Sequence, residues 1–124
     1  MTKKIGIVIV SHVPEVAKGI PELLEQVAAD VSITSAGGTD DNEIGTSAGK
    51  IMDAFERNKA QELLAFYDLG SSKMNLELAV EMSDKKVNIY DVALVEGAYT
   101  AATLLEADVA LADVEEQLAP LKIK

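Results

Sequence analysis

The chain contains no cysteine and only one histidine among its 124 residues. No disulfide can staple it and no thiolate can hold zinc, while a zinc site built from several imidazoles is excluded by the solitary His12. Cations are few as well: 11 Lys plus Arg stand against 21 Asp plus Glu, a net charge of −10. That surplus repels the phosphates of nucleic acid and the head groups of anionic lipid, and Lys3, Lys4, Lys85 and Lys86 are too few to form an offsetting patch. No nucleic acid and no membrane surface is expected as a partner. Long apolar runs are also missing, since the run at residues 5–10 falls well below the ~18 residues of a membrane span and no small-residue cleavage site follows it. No low-complexity segment, linker or internal repeat divides the chain. What remains is one soluble, acidic domain over residues 1–124, expected in the cytoplasm and long enough to bury a core unaided.

What is present alternates between short apolar runs and helical patterns. Residues 5–10 (IGIVIV) form a continuous, β-branched run of the kind that suits a central strand covered on both faces. Val16, Ile20, Leu23, Leu24 and Val27 then recur at helical spacing, with Pro14 in the first turn and Pro21 expected to kink or split the helix. A second strand is expected over 31–36, followed by a long loop, GGTDDNEIGTS, of the length that is usually functional. A second helix over 48–58 is capped by Thr46 or Ser47 and buries Ile51 and Phe55. The third strand, 63–67, ends in Asp68-Leu69-Gly70-Ser71-Ser72, where a serine is expected to cap a third helix reaching about Met82. A fourth strand covers 87–90, then Leu94, Ala98, Ala101, Ala102 and Leu105 mark a fourth helix and Leu111, Val114, Leu118 and Leu121 a fifth. This order predicts an α/β fold: an open, doubly wound, mainly parallel sheet of about four strands in the order 2-1-3-4, with helices on both faces. The C-terminal tail is a candidate edge strand.

In such a sheet strands 1 and 3 are neighbours at the switch point, and ligands bind in the crevice beyond their C-terminal ends. His12 ends strand 1 and Asp68 ends strand 3, so both fall at that mouth. A lone histidine is more often packed or solvated than reactive, but this one has a carboxylate within predicted reach. A carboxylate holding one ring nitrogen leaves the other free as a nucleophile. No second or third ligand lies there to make a metal site. The loop residues Gly37, Gly38 and Thr39 offer backbone and hydroxyl donors to an anion, or else belong to an acidic surface loop with Asp40, Asp41 and Glu43. Ser71 and Ser72 either cap a helix or, with its exposed N–H groups, bind a phosphate. The segment GTSAGK is one residue short of a nucleotide P-loop, and Ile51 stands where a magnesium-binding hydroxyl belongs. The acidic cluster lacks calcium-loop spacing, and Ser11-His12 occupies the place where a receiver domain keeps its acidic pair. Donors around one nucleophilic histidine suit phosphoryl transfer.

The strings GIVIVSHVPEVAKGI, AGGTDDNEIGTSAGKI and YDLGSSKMN, in that order across essentially the whole chain, resemble the phosphotransferase subunits of phosphoenolpyruvate-dependent dihydroxyacetone kinases, a branch of the mannose-type EIIA domains. The resemblance implies a phosphohistidine carrier in which His12 accepts a phosphoryl group from HPr and Asp68 orients its ring, with Gly38, Thr39, Ser71 and Ser72 around the transferring group. The phosphoryl group would pass to ADP on a separate nucleotide-binding subunit, and the ATP formed there, with magnesium, would phosphorylate dihydroxyacetone on a third subunit. The carrier itself would bind no cofactor and no metal, and would form a homodimer. Val13 stands where many relatives carry a small hydroxyl residue. The other readings of the same fold are an EIIA component of a mannose-type sugar permease and a non-catalytic regulatory domain.

Overall fold

A computed structural model of the chain describes residues 2–124. Four strands, β1 (Ile5–Ser11), β2 (Ile33–Gly37), β3 (Glu62–Tyr67) and β4 (Lys86–Tyr90), form one parallel sheet in the order β2-β1-β3-β4. The helices are α1 (Pro14–Glu25), α2 (Ala48–Arg57), α3 (Gly70–Glu81), α4 (Leu94–Glu106) and α5 (Leu111–Leu118), with a closing 3₁₀ turn at Ala119–Leu121. Strand order and the alternation of elements match the sequence expectation. Boundaries move by one or two residues: β2 begins at Ile33 rather than at residue 31.

The apolar pattern of β1 dictates this arrangement. Successive side chains of a strand point to opposite faces, so a run that is apolar at every position must be covered twice. Ile7 and Ile9 join Leu64 and Phe66 beneath α1, α4 and α5, whereas Val8 and Val10 join Leu63, Ala65 and Tyr67 beneath α2 and α3. Each of the four β1 residues 7–10 is fully buried. Such a side chain contributes about 1.5–3 kcal/mol relative to exposure.

Two details of α1 differ from its sequence pattern. The residues that bury are Ala17, Ile20 and Leu24, while Val16 and Leu23 lie on the exposed side at 40% and 47%. The small Ala17 lets the helix approach closely: a Cβ on Gly37 would stand 2.6 Å from the Ala17 Cβ. Nor does Pro21 split the helix, which runs unbroken over twelve residues. The proline removes one backbone bond, and buried anchors on both sides, Ala17 and Ile20 before it and Leu24 after it, hold the flanking turns to the sheet.

The start of α3 also departs from expectation. The N-cap residue is Leu69, which makes no side-chain cap bond, and Ser71 and Ser72 are the second and third residues of the helix. The helix thus begins two residues before the start that a Ser71 cap would set. The tail contributes no strand to the sheet; its pairing is a single antiparallel bridge, Val92↔Lys122. Among the described residues no helix is long and apolar enough to cross a membrane.

Candidate functional site

The site is assembled by strand register. β1 and β3 run parallel as neighbours with Val10 opposite Tyr67, so the next residues of each strand emerge side by side. The first chain segment turns into α1 on one face and the second into α3 on the other, which opens the crevice. The Asp68 N–H donates to the Val10 carbonyl at 3.2 Å and extends the ladder by one bond. His12 and Asp68, 56 residues apart in sequence, thereby meet at the carboxyl edge of the sheet.

Asp68 is surrounded by donors. Its Oδ1 lies 2.9 Å from His12 Nδ1 and accepts the Leu69 N–H at 2.7 Å, while Oδ2 accepts the His12 backbone N–H and the Ser11 hydroxyl, each at 2.9 Å. Burial by itself would raise the Asp68 pKa; the bonds from the His12 backbone, the His12 ring, Ser11 and Leu69 outweigh it and hold the carboxyl below its ordinary value. Asp68 is therefore an anion at neutral pH, with no proton to give. Nδ1 must be the protonated nitrogen, and the Nε2 lone pair is left facing outward. Ser71 Oγ lies 2.7 Å from Nε2, positioned to donate its hydroxyl to that lone pair. The His12 side chain is 15% exposed, enough for an incoming group to reach it.

Other donors expected around this centre are engaged elsewhere. The Gly38 N–H donates to the Ser11 carbonyl, and the Thr39 N–H to the Glu43 carbonyl, while Thr39 Oγ1 accepts the Glu43 N–H. Ser72 is fully buried and gives its hydroxyl to the Leu69 carbonyl at 2.6 Å. The Gly38 and Thr39 N–H groups and the Ser72 hydroxyl become available to a phosphoryl group only by exchanging those bonds, whereas the Thr39 hydroxyl, an acceptor here, keeps its proton to donate. The structure joins the long loop to the site in another way: the Gly45 N–H donates to the His12 carbonyl at 3.0 Å, and Thr46 Oγ1 accepts from Asn75 of α3 at 2.8 Å. Inside the loop, Gly38 and Asn42 adopt positive φ, Ser47 donates to Asp40, and Lys50 Nζ bridges the Gly37 carbonyl and Asn42 Oδ1. Asp40 and Asn42 thus serve the loop's own architecture. Among the described residues no group of three or more His, Asp or Glu is gathered as a metal site.

Three contributors escaped sequence reasoning. Ser11 binds Asp68 and also accepts the Val13 N–H at 3.1 Å, fixing the turn that carries His12. Its signal was present: a polar residue ending an otherwise apolar strand, and here fully buried. Gly45 gave no signal distinct from other loop glycines. Lys124 reaches from the C-terminal tail to the carbonyls of Tyr67 and Asp68 at 2.6 and 2.9 Å. Nothing in local sequence connects a residue of the tail to the end of β3.

With the geometry in place, known proteins offer a comparison. A family model described as EIIA-man, the PTS system fructose IIA component, matches residues 6–115. The phosphotransferase subunit DhaM of the PTS-dependent dihydroxyacetone kinase of Lactococcus lactis subsp. lactis is 50% identical over 119 residues, covering 96% of this chain and 97% of that protein. The phosphoryl donor subunit of PEP-dependent dihydroxyacetone kinase 1 of Listeria innocua serovar 6a is 42% identical over 124 residues, the full length of both. Among solved structures, that of the unknown function protein EF1359 aligns with a TM-score of 0.83 at 30% identity, covering 98% of this chain and 97% of that one.

Proposed function

The chain belongs to the EIIA-man family of phosphotransferase-system components, and from that membership we propose that it is the phosphoryl donor subunit of a phosphoenolpyruvate-dependent dihydroxyacetone kinase, with His12 as the residue that carries the phosphoryl group. The observation that carries this reading is the two-sided hold on the imidazole, Asp68 at Nδ1 and Ser71 at Nε2. The two relatives named above, matched over nearly their whole lengths, are subunits of such kinases.

In the reaction the Nε2 lone pair attacks phosphorus in line. An N–P bond forms as the donor's N–P bond breaks, and that electron pair returns to the donor's ring. Nδ1 keeps its proton throughout, so positive charge grows on the His12 ring as the bond forms. The Asp68 carboxylate is placed to stabilise that charge without itself taking the proton. The Ser71 hydroxyl, released from the lone pair, then donates to a phosphoryl oxygen. Gly38, Thr39 and Ser72 join it where the bonds described above exchange. Transfer out reverses the step: Nε2 leaves as a neutral imidazole and phosphorus passes to the next acceptor.

The donor is HPr and the acceptor is ADP on the nucleotide-binding subunit, where magnesium also resides; dihydroxyacetone is phosphorylated on the third subunit. The carrier works as a homodimer in the cytoplasm. The test is a reconstitution with enzyme I, HPr, phosphoenolpyruvate and both kinase subunits, following dihydroxyacetone phosphate. Product is expected only when this chain is present, and none with His12→Ala. Phosphoryl passage to a sugar-permease domain instead of to ADP would identify a transport component. Absence of any label on His12 would identify a regulatory domain.

A further inference from the structure

The end of β3 is held by a residue that does not touch the reacting ring. The β3–β4 ladder finishes at Phe66↔Tyr90, so Tyr67 and Asp68 continue past the last paired position. Their carbonyls accept hydrogen bonds from a side chain, with Lys124 Nζ 2.6 Å from the Tyr67 oxygen and 2.9 Å from the Asp68 oxygen. The same ammonium lies 4.2 Å from the centre of the Tyr67 ring, within cation–π range.

This contact is delivered by the fold. The Ala93 N–H donates to the Leu121 carbonyl at 3.0 Å and the Ile123 N–H to the Asp91 carbonyl at 3.2 Å, with Val92 and Lys122 forming a bridge between them. The tail is thus laid as a strap along residues 91–93 and points its last side chain back at the sheet. Asp91, to which the strap is tied, also accepts the Tyr67 hydroxyl and binds Lys73 of α3. Burial lowers the Lys124 pKa while Asp68 and Asp91 raise it, so the ammonium is partly desolvated and faces two carboxylates. Two of its three N–H donors are taken by the Tyr67 and Asp68 carbonyls, and burial still outweighs the two carboxylates, holding the Lys124 pKa below its ordinary value.

We infer that Lys124 is a positioning residue for the phosphoryl acceptor: it fixes the Asp68 peptide from the β4 side and so sets where the carboxylate meets His12 Nδ1. Asp68 is pinned at both ends of its own backbone, N–H to Val10 and carbonyl to Lys124. Freed from Lys124, the peptide can rotate, and the Oδ1 to Nδ1 contact weakens. The ring then samples the other tautomer, in which Nε2 carries the proton and cannot attack. The consequence for transfer rests on the reading of His12 as acceptor; the consequence for the ring does not.

The experiment compares Lys124→Met and Lys124→Arg with the unaltered chain. The tautomer of the His12 ring is read by nitrogen NMR without any donor, and transfer from phosphorylated HPr is read by single turnover. For Lys124→Met we expect a reduced Nδ1–H fraction and a roughly tenfold slower rate at saturating donor, with KM unchanged and the fold retained. Lys124→Arg should recover most of both. A Lys124→Met ring spectrum identical to that of the unaltered chain overturns the inference, whatever happens to rate or melting temperature. A shifted ring spectrum with no phosphoryl label on the unaltered chain would uphold the positioning role and remove the carrier reading instead.

Discussion

One carboxylate binds His12 twice: Asp68 accepts the backbone N–H on Oδ2 and meets the ring Nδ1 with Oδ1, both at 2.9 Å. The orientation of the ring and the position of its Cα are therefore set by the same group. An asparagine of equal shape cannot do both. Its oxygen facing Nδ1 leaves an amide N–H₂ against the His12 N–H, and the flipped rotamer donates to Nδ1 and forces the wrong tautomer. Asp68→Asn is expected to slow phosphoryl acceptance by roughly two to four orders of magnitude with the fold intact. Rapid-quench labelling checks this; a rate within about tenfold of the unaltered chain would show that the ring is oriented otherwise.

Acid should destabilise the domain through a definable set of groups. For both Asp68 and Asp91 burial favours the protonated form, but their hydrogen bonds outweigh it, from His12, Ser11 and Leu69 in the first case and from Tyr67 and Lys73 in the second, so each pKa lies below 3.8. The folded state binds these protons more weakly than the unfolded state. Their stabilisation is complete above pH 3.8 and is lost as pH falls through the depressed folded values. Urea unfolding at stepped pH is expected to show a smaller acid loss for Asp91→Asn than for the unaltered chain. Equal slopes would contradict the assignment.

Gly37 closes the join between β2 and the first turn of α1. An added Cβ would stand 2.6 Å from the Ala17 Cβ and 2.9 Å from the Pro14 Cα and the Val13 carbonyl oxygen. Two of these neighbours are backbone, so β2 or α1 must move. Gly37→Ala is expected to cost about 1–3 kcal/mol in chemical denaturation. Because Gly37 pairs with Ser11, the displacement should also slow transfer. An unchanged denaturation midpoint would show that the join is looser than these distances.

The net charge of −10 makes the approach of a partner dependent on salt. With a donor whose contact face is basic, the second-order rate of exchange should fall severalfold between low and high ionic strength, while the rate at saturating donor stays level. Stopped-flow titration separates the two. A salt-independent second-order rate would mean that the charge serves solubility alone.

Much of this was legible in advance because it depends on periodicity. An apolar run at every position of β1 requires cover on both faces, and among right-handed open sheets of this size the order β2-β1-β3-β4 is the one most often taken and the one observed. That order already puts residues 12 and 68 at the same sheet edge. Cap positions are less legible. Whether a helix opens at Gly70 or at a serine beyond it depends on which donors Asp68 attracts, and that is decided across the sheet rather than along the chain. That Pro21 does not split α1 has a related reason, since its local cost is outweighed by packing against the sheet.

The sequence by itself determined the alternation of strands and helices, the need for a core on each face of the sheet and the identity of the lone imidazole, because all three arise from local spacing and from the composition of single segments. Only the tertiary structure decided what surrounds that imidazole: Ser71 against Nε2, Ser11 beneath Asp68, Gly45 on the His12 backbone carbonyl and, away from the ring, Lys124 on the Asp68 carbonyl. Hydrogen bonds between residues far apart in sequence depend on distance and direction after folding, and no periodicity encodes either.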